Sequence, residues 1–129
     1  MTQTRRWRRL DLPALEDFAE DGQAFHGRVQ VDETVPWSAE YRIAFNEQWI
    51  TFDAQWVTLG TEVSVERAGH TRQLQLQREA SGRWLGDDCE VEACRGALDV
   101  DLGVTPSTNT SAIRRLGLAV GASVELTAT

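Results

Sequence analysis

The chain has 129 residues, a formal net charge of −7 and 41% hydrophobic residues, including five tryptophans. This length is sufficient for one domain with a core, because such a chain buries about two-thirds of the surface that it exposes when unfolded. The acidic surface repels phosphate backbones, so no nucleic-acid partner is predicted. No apolar run approaches the ~20 residues of a membrane span, so no integral membrane insertion is predicted.

The N-terminus carries a basic cluster around Trp7. Its members are Arg5, Arg6, Arg8 and Arg9. We expect the start of a strand, with the tryptophan directed inward and the arginines in solvent. Paired arginines also begin twin-arginine export signals, but the acidic residues 10–22 that follow form no continuous hydrophobic segment. The sequence therefore predicts a cytoplasmic protein.

Period-two alternation of apolar and polar residues predicts short strands in most of the chain. Before them, residues 12–20 favour one or two helical turns or a loop, since Pro13 suits a first helical position. Tight turns are expected at residues 68–70 and 81–82. The even spacing of strands and turns predicts an antiparallel meander with one wet face and one apolar face. The predicted strands cover residues 25–31, 39–45, 57–67, 71–78, 97–104 and 123–127, and another begins at 83.

Residues 45–51 and 52–58 are two near-copies of one heptad, FNEQWIT and FDAQWVT. Their composition favours strand. An odd repeat in an unbroken strand would place Trp49 and Trp56 on opposite faces. A helix would instead align them in one stripe. The repeat therefore predicts a bend, bulge or turn between the copies, with a helix as the alternative.

Neither the cysteines nor the histidines form a metal-binding pattern. Cys89 and Cys94 have neither the CxxC nor a zinc-ligand spacing, and a cytosolic chain favours two free thiols. His26 and His70 are isolated, and we expect both to be structural or solvated. No metal and no cofactor are predicted.

Residues 96–118 concentrate acids, hydroxyls and arginines. Asp99 and Asp101 share one face of a predicted strand, a polar loop follows from Thr105, and Arg114 and Arg115 lie in the apolar run beyond it. These groups could form a polar recognition surface or an internal clasp in which the carboxylates pair with the arginines across adjacent strands. A hydrolase using the two aspartates is a remote alternative, because no nucleophile–base pair accompanies them.

The five tryptophans also allow two interpretations. Most of them are expected to pack in the core or on a sheet face. Several of them lining a concave sheet would instead make an apolar groove for an acyl chain or a sugar face. They are Trp7, Trp37, Trp49, Trp56 and Trp84.

Residues 98–118, LDVDLGVTPSTNTSAIRRLGL, resemble the long signature of the bacterial family called putative glycolipid-binding. Shorter matches are found at Arg6 to Leu10, at Gly82 to Leu85, and in the spacing of Tyr41, Ile43, Trp49 and Thr51. The resemblance covers essentially the whole chain. It implies a single domain over residues 1–129: mainly β, a curved antiparallel half-barrel with little helix, similar to bacterial lipoprotein carriers.

The resemblance also implies a non-catalytic protein that holds a lipid or glycolipid on its concave face. The family has no established catalytic residues, and its name is an inference from fold. Family members usually continue with more sheet, so this chain is shorter than typical, and its open sheet edge invites a homodimer. A structural module that dimerises through this edge is the alternative function. The predicted ligand-binding residues are Asp99, Asp101, Thr105, Thr108, Asn109, Arg114, Arg115, Trp49, Trp56 and Trp84.

Overall fold

The protein folds as one open, curved antiparallel sheet of eight strands that follow each other in chain order. The computed structural model describes residues 3–11, 13–21, 24–45, 57–103, 105–126 and 128–129. The strands are β1 (Gln3–Arg8), β2 (Ala14–Glu20), β3 (Ala24–Val31), β4 (Trp37–Phe45), β5 (Thr58–Arg67), β6 (His70–Arg78), β7 (Trp84–Gly86) and β8 (Cys89–Glu90). The prediction of a mainly β, antiparallel meander is confirmed.

Short helical elements follow the sheet. Two 3-10 turns span Glu92–Cys94 and Pro106–Thr108, and the α-helix α1 spans Asn109–Leu116. Among the described residues, no helix is both long and apolar enough to cross a membrane.

Alternate residues of each strand point to opposite sides of the sheet, so its two faces differ in composition. One side, the apolar face, carries the main core of the protein. Its buried residues on β2, β3 and β4 are Ala14, Phe18, Phe25, Val29, Val31, Ala39, Tyr41 and Ile43. Trp37, Val63, Val65 and Leu102 pack against them.

The opposite side, the polar face, is ordered in rows of residues that lie opposite one another on neighbouring strands. The first polar row is Arg8, Leu15, Gln30, Ser38 and Glu66. The second polar row is Arg6, Asp17, Arg28, Glu40, Ser64 and Gln73. The third polar row is Thr4, Ala19, His26, Arg42, Glu62 and Gln75.

The apolar face is covered by the chain itself. Leu102 packs against the main core and also against a second cluster that contains Trp84, Ala97 and Val100. Trp84 is completely buried, and its indole N–H donates a hydrogen bond of 3.0 Å to the carbonyl oxygen of Ala97. The residues from 97 onward therefore occupy the side of the sheet where the sequence placed an open apolar groove.

Two segments differ from the sequence-based prediction. Residues 12–20, expected to be helix or loop, contain strand β2, in which Ala14, Glu16 and Phe18 are buried and the residues between them are exposed. Glu16 interrupts the alternation of apolar and polar residues, so the sequence pattern does not indicate a strand here. Trp7 shares the apolar side with Glu16 by register but is 44% exposed, because β1 is the edge strand.

The C-terminal predictions were wrong in secondary structure. Residues 97–103 form no strand, and a single parallel bridge pairs Asp99 with Ala128. The described part of 123–127 is likewise not a strand. The predicted loop and apolar run are instead a 3-10 turn and α1, which ends at Gly117 in the left-handed conformation with φ of 53°. The predicted bend between the heptads lies outside the described residues.

Gly27 permits a side-chain contact that spans the whole of strand β3. Tyr41 lies opposite it, and a Cβ atom at Gly27 would be 2.2 Å from the tyrosine Cζ and 2.3 Å from its hydroxyl oxygen. The ring of Tyr41 therefore crosses over β3, and its hydroxyl reaches Glu16 on β2. No residue with a side chain fits at position 27 without displacing this ring.

We predict that Gly27→Ala lowers the free energy of unfolding by about 2 kcal/mol or more, because the new methyl group displaces Tyr41 and breaks its hydrogen bonds. Urea denaturation measures this. Gly103→Ala is the control, since nothing lies within 4 Å of the added Cβ atom. Equal urea midpoints for the two variants would contradict the prediction.

Candidate functional site

A buried polar cluster fastens the C-terminal segment to the sheet. We call Glu16, Tyr41, Thr105 and Ser107 the Glu16 cluster; all four are buried. Thr105 donates a hydrogen bond of 2.6 Å to Oε1 of Glu16, and Tyr41 donates to the same oxygen. The hydroxyl oxygens of Tyr41 and Ser107 are 2.6 Å apart. Thr105 also accepts from the backbone N–H of Ser107 at 3.0 Å and so begins the 3-10 turn.

Each hydroxyl proton of the Glu16 cluster has an acceptor within the cluster. A carboxylate only accepts hydrogen bonds, and Oε1 of Glu16 receives those of Tyr41 and Thr105. The hydroxyl of Ser107 can donate to that of Tyr41 at 2.6 Å. The Ser107 oxygen also lies within acceptor distance of the Thr105 hydroxyl, at 2.9 Å. Burial, and after it the hydrogen bond to Glu16, raises the pKa of Tyr41 far above its usual range, so the phenol stays protonated. The cluster is complete without a ligand.

An ion pair at the base of the same segment is also nearly buried. Arg115 of α1 donates from both terminal nitrogens to Asp99, at 2.7 and 2.5 Å, and the two side chains are 9% and 4% exposed. Asp101 instead accepts a hydrogen bond of 3.3 Å from Thr108. Arg114 pairs with Glu20 and lies 5.9 Å from the centre of the Phe25 ring.

The expected pairing of carboxylates with arginines is thus present at Asp99, but its partner comes from a helix and not from an adjacent strand. The other predicted residues of 99–115 have separate partners: Thr105 bonds Glu16, Thr108 bonds Asp101, and Arg114 pairs with Glu20. Asp99, Thr105 and Thr108 are buried, whereas Asn109 is exposed at the start of α1. Trp84 belongs to the core, and Trp49 and Trp56 lie outside the described residues. As ligand contacts, these residues stay a prediction.

A cavity of about 1080 Å³, which we call the end cavity, lies where three turns meet at one end of the sheet: β1–β2, β3–β4 and β5–β6. In an antiparallel meander alternate turns lie at the same end, so these turns are brought together. Apolar side chains form much of its wall. They include Leu10, Leu15, Val31, Pro36, Trp37 and Ala68.

Arginines and carboxylates both line the end cavity, and two of the arginines are paired with carboxylates in or beside it. Arg9 holds Asp11 with two hydrogen bonds of 2.8 and 2.6 Å, and Arg28 lies 3.7 Å from Glu40. Arg8 also lines the cavity and is exposed, with no hydrogen-bond or ion-pair partner among the described residues. The cavity therefore combines an apolar wall with one guanidinium group that is available to a ligand.

Sequence reasoning missed the end cavity. Trp37 was singled out only as one of five tryptophans, and Leu15 lay in the segment expected to be helix or loop. The alternation of Leu15 with Ala14 and Glu16 was the available signal. In the described ranges, no group of three or more His, Cys, Asp or Glu side chains could hold a metal ion.

The open, curved meander places this chain among the mainly β proteins built on a single antiparallel sheet. Within this class the chain can be assigned to one family. A family model described as "Putative glycolipid-binding" matches residues 4–129, so the chain belongs to this family. The resemblance found in the sequence is thereby confirmed. No curated protein matches the chain.

A solved structure shows the same fold. It is the crystal structure of a DUF1089 family protein from Pseudomonas aeruginosa, with 28% identity and a TM-score of 0.76. The similarity covers 95% of this chain and 64% of that chain, so this chain spans less than two-thirds of its neighbour's length.

We predict that Tyr41 ionises only well above pH 10 in the folded protein. Its pKa is raised from the usual 10.0, so its contribution to stability is fully present below pH 10.0 and declines above it, where the unfolded chain ionises first. The decline should be about 1.4 kcal/mol per pH unit. The chain has one tyrosine, so tyrosinate absorbance reports Tyr41 alone. It has no lysine, whose amino group would titrate in the same pH range. Tyrosinate formation near pH 10 without unfolding would contradict this.

We further predict that Arg115→Ala lowers the free energy of unfolding by about 3–5 kcal/mol, because it leaves the Asp99 carboxylate buried and unpaired. Arg6→Ala is the matched control. Arg6 also binds an aspartate, Asp17, at 2.7 Å, but these side chains are 70% and 65% exposed. Its loss should leave the unfolding midpoint nearly unchanged. The same midpoint shift in both variants would show that the Asp99 pair is not buried.

Proposed function

We propose that this protein binds a lipid or glycolipid without catalysis, and that the apolar part of the ligand occupies the end cavity. The observation that carries the proposal is the cavity of about 1080 Å³ with its largely apolar wall. Ligand sites are concave, mostly apolar and typically about 300–1,000 Å³, with a few polar groups that orient the ligand.

Exposed leucines in this cavity support an apolar ligand. Leu10 is 92% exposed and Leu15 is 47% exposed, although neither contributes to the core. Each methylene group of an acyl chain that covered them would gain about 0.8 kcal/mol from leaving water. Trp37, which packs at the margin of the core, would supply a flat apolar surface beside them.

Polar side chains that line the end cavity could bind the oxygen atoms where an acyl chain joins its polar head. Arg8, Gln30 and Ser38 belong to the first polar row and line the cavity on its polar side. A guanidinium group has five N–H donors, which can bind the carbonyl or ester oxygens at such a junction. The description of the family, glycolipid binding, supports the same ligand class.

This location differs from the groove that the sequence predicted on the apolar face. That face is covered by residues from 97 onward, and the end cavity of about 1080 Å³ supports a site at the turns instead. The hydrolase alternative has no support in the geometry, because Asp99 is held by Arg115. The single domain over residues 1–129 and the cytoplasmic location remain part of the proposal.

A homodimer that forms by pairing of the edge strand β1 in two copies is the alternative function. All six residues of β1 are exposed, which leaves its edge accessible. However, antiparallel pairing of β1 with itself would bring Arg5, Arg6 and Arg8 of the two copies together, and like charges on facing strands are destabilising. Ligand binding by one copy is therefore the better-supported function.

The test measures binding of octanoate and of octyl glucoside, both below their micelle concentrations, by calorimetry. Leu15→Asp should weaken both ligands at least about tenfold, because it places a carboxylate in the apolar wall. Leu59→Asp is the matched control: Leu59 is 41% exposed on β5 and does not line the end cavity. Absence of binding to the unmodified chain, or equal losses in the two variants, would refute the proposal.

A further inference from the structure

Two further cavities adjoin each other on the polar face. Their volumes are about 640 and 510 Å³, and both are lined by His26 and Glu40. We call the pair the trough. It runs between the second and third polar rows, from β1 and β2 to β6. Nothing in the proposed function uses this surface.

The trough continues the end cavity. Arg28 lines both the end cavity and the first cavity of the trough. The first and second polar rows are two residues apart along each strand, which is about 7 Å. A molecule whose chain occupies the end cavity can therefore extend its other end along the polar face without crossing the sheet.

Several side chains in the trough have hydrogen-bond donors or acceptors that other described side chains do not use. Within the described ranges, no hydrogen bond or ion pair engages the side chains of Arg42, Ser64 and Gln73. Glu62 receives one long contact of 3.5 Å from Gln75, and Glu40 lies 3.7 Å from Arg28. Donors and acceptors thus alternate at short intervals. This mixture suits hydroxyl groups, since each hydroxyl both donates and accepts.

The charges of the 510 Å³ cavity of the trough disfavour an anionic head. The 640 Å³ cavity differs, since Arg5, Arg6 and Arg28 line it together with Asp17 and Glu40. In the 510 Å³ cavity one guanidinium, Arg42, faces the carboxylates of Glu40, Glu62 and Asp87. A phosphate, sulfate or carboxylate bound there would be repelled by more charges than attract it. An uncharged polyhydroxyl group avoids this repulsion and can use the carboxylates as acceptors.

We infer that the trough is a subsite for the uncharged sugar head of an amphipathic ligand, and that Arg42 and Gln73 bind its hydroxyl groups. The inference rests on the proposed function, because the chain of the same ligand occupies the end cavity. It identifies the ligand class as a neutral glycolipid. An anionic head, such as that of a free fatty acid or a phospholipid, would not enter the 510 Å³ cavity.

The experiment compares the two probes in trough variants. Arg42→Ala and Gln73→Ala should each weaken octyl glucoside about tenfold and leave octanoate unchanged, because only the glucoside reaches the trough. Gln77→Ala is the matched control. Gln77 lies on the same strand and the same face as Gln73 but does not line the trough. It should change neither affinity.

The outcomes separate the two proposals. Both fail if neither probe binds the unmodified chain. The sugar subsite alone is refuted if both probes bind, Leu15→Asp weakens both, and the trough variants leave octyl glucoside unchanged. Equal weakening of octanoate by the trough variants would also refute it, since that would reflect altered folding or charge and not recognition of the head. Thermal unfolding of each variant verifies that these exposed substitutions leave the fold intact.

Discussion

The carboxylate of Glu16 on the apolar face is the constraint on which the arrangement of this protein depends. A buried carboxylate is costly unless it receives hydrogen bonds, and here they come from Tyr41 across Gly27 and from Thr105. Thr105 belongs to the segment from residue 97 onward that covers the apolar face, which we call the covering segment. The sheet and the covering segment therefore complete each other. Because the covering segment fills the apolar face, the polar face and the turns at one end are the surfaces left for a ligand.

The sequence predicted the central hairpins well because their apolar residues alternate without interruption, as Tyr41, Ile43 and Leu76 do on strands β4 and β6. It failed for β2, because Glu16 takes an apolar position in this strand. The hydrogen bond that makes this possible comes from Thr105, about ninety residues away in the chain. Sequence reasoning also failed for α1. The end signals of this helix, Pro106 and Gly117, were present, but a run of serines and threonines resembles a loop more than a helix.

The predicted pairing of carboxylates with arginines in 99–115 was right in chemistry and incomplete in geometry. The composition of 99–115 indicated that carboxylates and arginines pair, and Asp99 and Arg115 do. It could not decide between Arg114 and Arg115, since adjacent residues of a helix point in different directions and the helix itself was not predicted. The alternation around Leu15 was a signal for strand β2 and not for the position of the end cavity. The wall of the cavity combines residues of separate turns, such as Leu10 and Trp37, that only the register of the sheet brings together.

The position of the end cavity follows from the same division of faces. A ligand with an apolar chain and a polar head needs both kinds of surface side by side, and the middle of a two-faced sheet separates them by the thickness of the backbone. At the turns this separation ends, because residues of both faces line the end cavity, Ala14 from the apolar face and Leu15 from the polar face. From there the polar rows lead away along the sheet. The turn end therefore offers the proposed amphipathic ligand both kinds of surface at once, which neither face does alone.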